Sequence, residues 1–168
     1  MNRAAVTVEE IPPPAWSGGV ERYALKVIDA IGRDNWDLSI LLCGDQTIKA
    51  LNTQYRGRDE ATDVLSFALG AEETGEDGGR RYLPGDIVIS LDTLRENARY
   101  FQTPVDEELR RLLIHGILHL DGMDHRTNDD TEPMIILQER ILTRLEEERI
   151  LTGAAMPPAA GPREEEDR

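Results

Sequence analysis

Thr103-Pro104-Val105-Asp106-Glu107-Glu108-Leu109-Arg110-Arg111-Leu112-Leu113-Ile114-His115-Gly116-Ile117-Leu118-His119-Leu120-Asp121-Gly122-Met123-Asp124-His125 is the stretch on which the reading of this chain turns. It opens as helices open. Thr103 is placed to cap, Pro104 suits the first helical position, and the acidic residues that follow complement the partial positive charge of a helix N-terminus. The pattern predicts a helix to about Leu120. Gly122 just past its end permits a left-handed turn.

The chain's three histidines all lie here, at the spacing H-x3-H-x5-H. Residues four apart on a helix share a face, one turn above the other. His115 and His119 can therefore reach one ion, and a chain doubling back at Gly122 brings His125 to it. Imidazole binds metal when neutral, its usual state near pH 7. Three nitrogen ligands suit Zn2+, one per chain, with a fourth position open to water or substrate, as in catalytic sites. Each histidine needs a partner for its second ring nitrogen. Asp121 or Asp124 can supply one, and Asp124 can equally cap the turn.

Working outward, Val6-Thr7-Val8 reads as a short strand and Pro12 to Gly19 as a loop. Val20, Ala24, Val27 and Ile31 fall at helical spacing and stop at Gly32. Trp36 to Cys43 reads as a buried strand. Asp45 is placed to cap a helix with Ile48, Leu51 and Tyr55 on one face and Gly57 as its stop. Val64 to Leu69 is a third strand, residues 70 to 80 a flexible loop or hairpin turn, and Ile87-Val88-Ile89 a fourth strand. Leu91, Leu94, Ala98 and Phe101 mark another helix. The last helix starts near Thr131-Glu132-Pro133 and buries Met134, Leu137 or the neighbours of Gln138, Ile141 and Leu145. From Gly153 the sequence shifts to Ala, Pro, Gly and Glu.

These elements imply an α+β (mixed α/β) fold: one small, mostly parallel sheet of about four strands with packed helices, and the metal site at the end of a central helix. The expected division is a single domain over residues 1–152 and a disordered acidic tail over 153–168. The chain has 168 residues, 39% of them apolar and 31% charged, which suits one globular domain. Its lone cysteine, Cys43, sits in an apolar run and reads as a buried core thiol. A chain without disulfides, a leader or a run of ~20 apolar residues reads as cytoplasmic, with no membrane partner. A net charge of −14 argues against broad, nonspecific nucleic-acid binding. Arg56-Gly57-Arg58 and Arg80-Arg81 are local basic groups.

Zinc peptidases of the H-E-x-x-H-x-x-G-x-x-H type share this spacing and use the Glu as general base. Here that position is Gly116, which has no side chain to take a proton, and this argues against a peptidase of that mechanism. What remains is metal-assisted hydrolysis with another group stabilising the developing charge. Arg56 has two readings: an anion clamp with a planar fork of donors, or a helix-end cation facing solvent.

Three segments together resemble the bacterial YbeY family. They are His115-Gly116-x-Leu118-His119-Leu120-x-Gly122-x-Asp124-His125, Asn52-x-x-Tyr55-Arg56 with Thr62-Asp63-Val64-Leu65-Ser66-Phe67, and Gly85-Asp86-Ile87-Val88-Ile89-Ser90. The likeness spans roughly residues 20 to 150. It implies a single-strand-specific, metal-dependent endoribonuclease acting in ribosomal RNA maturation, at the 3′ end of 16S rRNA, and in ribosome quality control. It also implies zinc ligands at His115, His119 and His125, and catalytic roles for Arg56 and His115. The implied partners are single-stranded rRNA and the small ribosomal subunit with its proteins; no oligomeric state follows. Ala68 stands where the family commonly has Pro, Met123 where it commonly has Tyr, and Pro84 where it often has Leu. The alternative is a non-catalytic, zinc-stabilised assembly factor that binds ribosomal protein or RNA.

Overall fold

Alternation along Leu38-Ser39-Ile40-Leu41-Leu42-Cys43 sends Leu38, Ile40 and Leu42 to one face of a sheet and Leu41 and Cys43 to the other. A computed structural model describes residues 1–151 of the chain and places this segment in β2 (Asp37–Cys43). The other strands are β1 (Arg3–Val8), β3 (Val64–Thr74) and β4 (Arg80–Ser90). The helices are α1 (Ser17–Ala30), α2 (Asp45–Arg56), α3 (Leu91–Tyr100), α4 (Val105–Leu120) and α5 (Pro133–Arg144). The strand order is β1-β2-β4-β3. β2 runs parallel to both β1 and β4, and β3 pairs antiparallel with β4 at one edge. The fold is the α+β class expected from the sequence, with a mostly parallel sheet. The tail expected at 153–168 lies outside the described residues.

The core lies on both sheet faces. Ile87 and Ile89 of β4 join Leu38, Ile40 and Leu42 in a large cluster with side chains from α1, α3, α4 and α5. Val88 joins Cys43, Ile48 and Leu65 in a smaller cluster under α2. Each fully buried Leu or Ile contributes about 1.5–3 kcal/mol, so the two clusters dominate stability.

α4 is the central helix. From Glu108 to Leu120 every residue is buried except Arg111, His115 and His119. These three stand at i, i+4 and i+8, one stripe along the helix. Gly116 lies against β4: a Cβ there would stand 2.9–3.1 Å from three side-chain atoms of Ile87. The absent side chain lets the helix settle on the sheet, and a Glu here would have no room. Asp106, in the first turn of α4, receives Nε of Arg110 at 2.7 Å and the backbone N–H groups of Ile150 and Leu151, each at 2.8 Å. It straps the chain beyond α5 to the central helix.

Some boundaries differ from expectation. Pro104, not Thr103, holds the N-cap position of α4, and the Thr103 hydroxyl donates back to the Phe101 carbonyl. Asp45 is the first residue of α2 rather than its cap. The free N–H groups at this helix start go to carboxylates from elsewhere: Asp45 N–H to Asp92 and Thr47 N–H to Glu10. Phe101 is exposed at the end of α3 instead of buried. Residues 70 to 80 form a hairpin, with the strands extending to Thr74 and from Arg80.

Candidate metal centre

α4 presents His115 and His119 one turn apart on its half-buried stripe. After Leu120 the helix stops, and Gly122 takes φ +95°, the left-handed turn its position suggested. The chain folds back so that the Nε2 atoms of His119 and His125 stand 3.1 and 3.2 Å from Nε2 of His115. All three ligand nitrogens lie within 4.8 Å of one another.

Each second ring nitrogen has an acceptor. Nδ1 of His119 meets the Met123 carbonyl at 3.1 Å, and Nδ1 of His125 meets the Thr127 carbonyl at 2.8 Å. Nδ1 of His115 meets Oε1 of Gln138, on α5, at 2.6 Å. The backbone carbonyls only accept, so the ring protons of His119 and His125 sit on Nδ1 and their Nε2 lone pairs turn inward, and Oε1 of Gln138 makes the same demand of His115. Three lone pairs aimed at one point repel unless a cation lies between them. A tetrahedral zinc with Zn–N bonds of about 2.0–2.1 Å needs nitrogens about 3.3–3.4 Å apart, close to the separations found. The donor set thus fits one zinc-sized ion. Burial lowers the pKa of both His115 and His119 from the ordinary 6.5, which keeps them neutral and able to bind.

Asp121 and Asp124 do not support the histidine rings. Asp121, at the helix end, faces away and pairs with Arg33 at 2.7 Å. Asp124 accepts the His125 backbone N–H at 2.8 Å, so it caps the turn. Sequence reasoning missed Gln138. Its signal was a polar residue on the apolar face of the last helix, with Met134, Ile135, Ile141 and Leu142 as buried neighbours.

Two clefts meet at the histidines. One, of about 470 Å³, is lined by Arg56, Ser66, His115, His119, Met123 and Asp124, among others. The other, of about 540 Å³, is lined by Asp63, Glu108, Arg111, His115, His125 and Asp130, among others. His115 lines both. Arg56 ends α2 as a helix-end cation should, yet its guanidinium is directed over β3. Its Nη2 donates to the Ser66 carbonyl at 2.6 Å, and its Cζ lies 5.4 Å from the Phe67 ring centre. Tyr55 packs against the same ring, with centroids 5.4 Å apart and planes at 63°. A third cavity of about 500 Å³, beside Arg33, Trp36 and Tyr82, adjoins the first at Leu120 and Gly122 but holds none of the histidines. Cys43 is fully buried and lines none of these clefts; burial pushes its thiol up to about 12, as suits a core residue.

Fold and site together define a class: a small α+β protein built round a helix-borne three-histidine cluster able to hold one metal ion. Residues 9–146 match the family described as Endoribonuclease YbeY, and the chain belongs to that family. It is 46% identical over 144 residues to Endoribonuclease YbeY of Treponema pallidum, covering 86% of this chain and 90% of that one. It is 40% identical over 127 residues to the Aquifex aeolicus protein of the same name, covering 75% and 81%. The solution structure of TM1509 from Thermotoga maritima matches with a TM-score of 0.58 and 29% identity, over 88% of this chain and 91% of that one. Among the described residues, no helix is long and apolar enough to cross a membrane.

Proposed function

We propose that this chain is a single-strand-specific endoribonuclease that binds one metal ion, zinc by its donor set, through His115, His119 and His125. The observation that carries the reading is the convergence of three Nε2 lone pairs, each enforced by an acceptor on Nδ1, beside a cleft lined by Arg56. Family membership supplies RNA as the substrate class. Maturation of the 3′ end of 16S rRNA in the cytoplasm, with the small ribosomal subunit as partner, is the biological setting that we assign, together with a part in ribosome quality control.

The chain's own residues divide the work. Arg56 is held by the Ser66 carbonyl and the Phe67 ring, and its other N–H donors suit two oxygens of a phosphodiester. The second cleft carries Asp63, Glu108, Asp130 and Glu139 against Arg111, whereas the first carries Arg56 and Asp124, so the balance of charge favours the scissile phosphate on the Arg56 side. His115 lines both clefts, shares the Arg56 cleft with His119, and is the histidine to which this scheme gives a catalytic role. A bound metal ion would polarise the phosphate and lower the pKa of a coordinated water.

The test is cleavage of a small-subunit RNA fragment with a single-stranded 3′ extension, using metal-loaded parent and Arg56→Ala. Arg56 is exposed, so its replacement leaves fold and metal intact. The expected result is cleavage by the parent within the extension and a loss of about 100-fold or more in the variant. If neither protein cuts RNA while each binds one metal, the assembly-factor reading replaces this one.

A further inference from the structure

Of the three histidines, only His115 relies on a side chain to fix its ring. A backbone carbonyl can only accept, whereas a glutamine amide can turn either its oxygen or its NH2 toward a neighbour. Which end of Gln138 faces His115 therefore decides where the ring proton sits.

We propose that Arg111, Glu139 and Gln138 form a positioning relay that holds His115 in the Nδ1–H tautomer and so keeps its Nε2 free to bind metal. This rests on the metal-site reading above. Nε2 of Gln138 donates to Oε2 of Glu139 at 3.1 Å. An ionised carboxylate cannot donate, so the NH2 end of the amide must face it, and Oε1 must face His115. Glu139 is fixed in turn by Arg111, whose Nε and Nη2 reach its two oxygens at 3.0 and 3.2 Å. Burial raises the Glu139 pKa, but the bonds from Arg111 and Gln138 outweigh it and hold the carboxyl below its usual range. Glu139 thus stays ionised and acts only as an acceptor.

The relay begins and ends on one helix. Arg111 stands four residues before His115 on α4, and the connection crosses to α5 and back. Gln138 is 5% exposed, so its amide is held by packing as well as by Glu139. Arg111 also contacts Glu107 and Glu108, at 3.3 and 3.2 Å, which limits where its guanidinium can go. Arg111 sets its charge against Glu139, and His115 meets the neutral amide of Gln138 rather than the carboxylate itself.

The experiment uses the full chain with Gln138→Met, Glu139→Gln, and the exchange of both, Gln138→Glu with Glu139→Gln. In the exchange, the carboxylate accepts from His115 and the new amide links it to Arg111, so the direction of the chain is restored. Two quantities are read: the His115 tautomer in metal-free protein, by two-bond 1H–15N NMR, and zinc affinity, by competition with a chromophoric chelator. The parent is expected to show Nδ1–H. Gln138→Met should shift His115 toward Nε2–H and weaken zinc binding about 10–100-fold. Glu139→Gln should give a mixture of tautomers and a smaller loss. The exchange should return both readouts to within a few-fold of the parent. A parent with mixed tautomers, or a Gln138→Met variant with unchanged tautomer and affinity, overturns the relay. A parent that shows Nδ1–H but takes up no metal overturns the metal-site reading, and with it the ligand role given to the relay.

Discussion

Replacing Gly116 with alanine tests whether this glycine is there for packing. A Cβ at 116 would lie 2.9 Å from Cδ1, 3.0 Å from Cγ2 and 3.1 Å from Cγ1 of Ile87. Ile87 is fully buried. Its two γ carbons branch from one atom, so no single rotation withdraws both. Overpacking of this kind costs about 1–3 kcal/mol. Alanine returns about 1 kcal/mol through its better helix propensity. The net expectation is a loss of about 1 kcal/mol, with about 2 kcal/mol as the upper end. For a chain of this length that lowers the melting midpoint by about 2–4 °C per kcal/mol. The assay is chemical denaturation of metal-free protein, followed by tryptophan fluorescence. Ile87→Val removes the nearest atom of the clash. In the double variant it should recover about 0.5–1 kcal/mol relative to additivity. Gly116→Val, with two further methyl groups and poorer propensity, should be worse than alanine. A Gly116→Ala protein more stable than the parent would show that α4 stands off the sheet, and the account of this position would fail.

Two other perturbations probe the scaffold and the histidines. Asp106→Ala leaves Arg110, which is 4% exposed, without its carboxylate and frees the Ile150 and Leu151 amides. A loss of about 3–5 kcal/mol is expected in a denaturant titration, and a change under about 1 kcal/mol would show that the strap is idle. Acid should destabilise the metal-free chain through His115 and His119. Their folded pKa values lie below the ordinary 6.5, with burial as the leading cause, so the unfolded chain binds more protons. The stability that they contribute is complete above about pH 7 and is lost as pH falls below about 6.5 through the folded values. Urea midpoints measured from about pH 8 to about pH 5.5 should fall in that window. His119→Ala should flatten the fall, and an unchanged slope would contradict the argument.

The parts of the fold that were legible in sequence are those governed by local rules. Apolar periodicity placed the helices and the buried strands, because burial on one face imposes its period on the chain. Gly57 and Gly122 were readable as stops because their left-handed turns, at φ +68° and +95°, favour glycine. The histidine cluster followed from helical spacing plus that turn. What escaped the sequence depends on distant partners. Asp45 was expected to cap α2, but Glu10 and Asp92 arrive from other segments to serve that helix start. β3 gave no strand signal beyond Leu69 because its outer residues are mostly exposed, and the start of β4 is covered by distant partners, Asp37 for Arg81 and Trp36 for Tyr82. Neither aspartate offered as a support serves a histidine ring, and of the two readings of Asp124 the turn cap is the one found. Asp121, at the helix end before Gly122, pairs with Arg33, and Asp124 bonds within its own turn. Gln138 was hidden because a polar residue in an apolar stripe acquires meaning only once α5 is laid against α4.

The most direct test of the central claim is a metal titration of RNA cleavage by the full-length chain. Metal is first removed with a chelator, then zinc is returned in measured steps while cleavage of a single-stranded RNA is followed. On this account the metal-free protein is inactive, and the rate rises with bound metal and levels off at one ion per chain. Full cleavage by the metal-free protein, or none at one bound ion per chain, would contradict it.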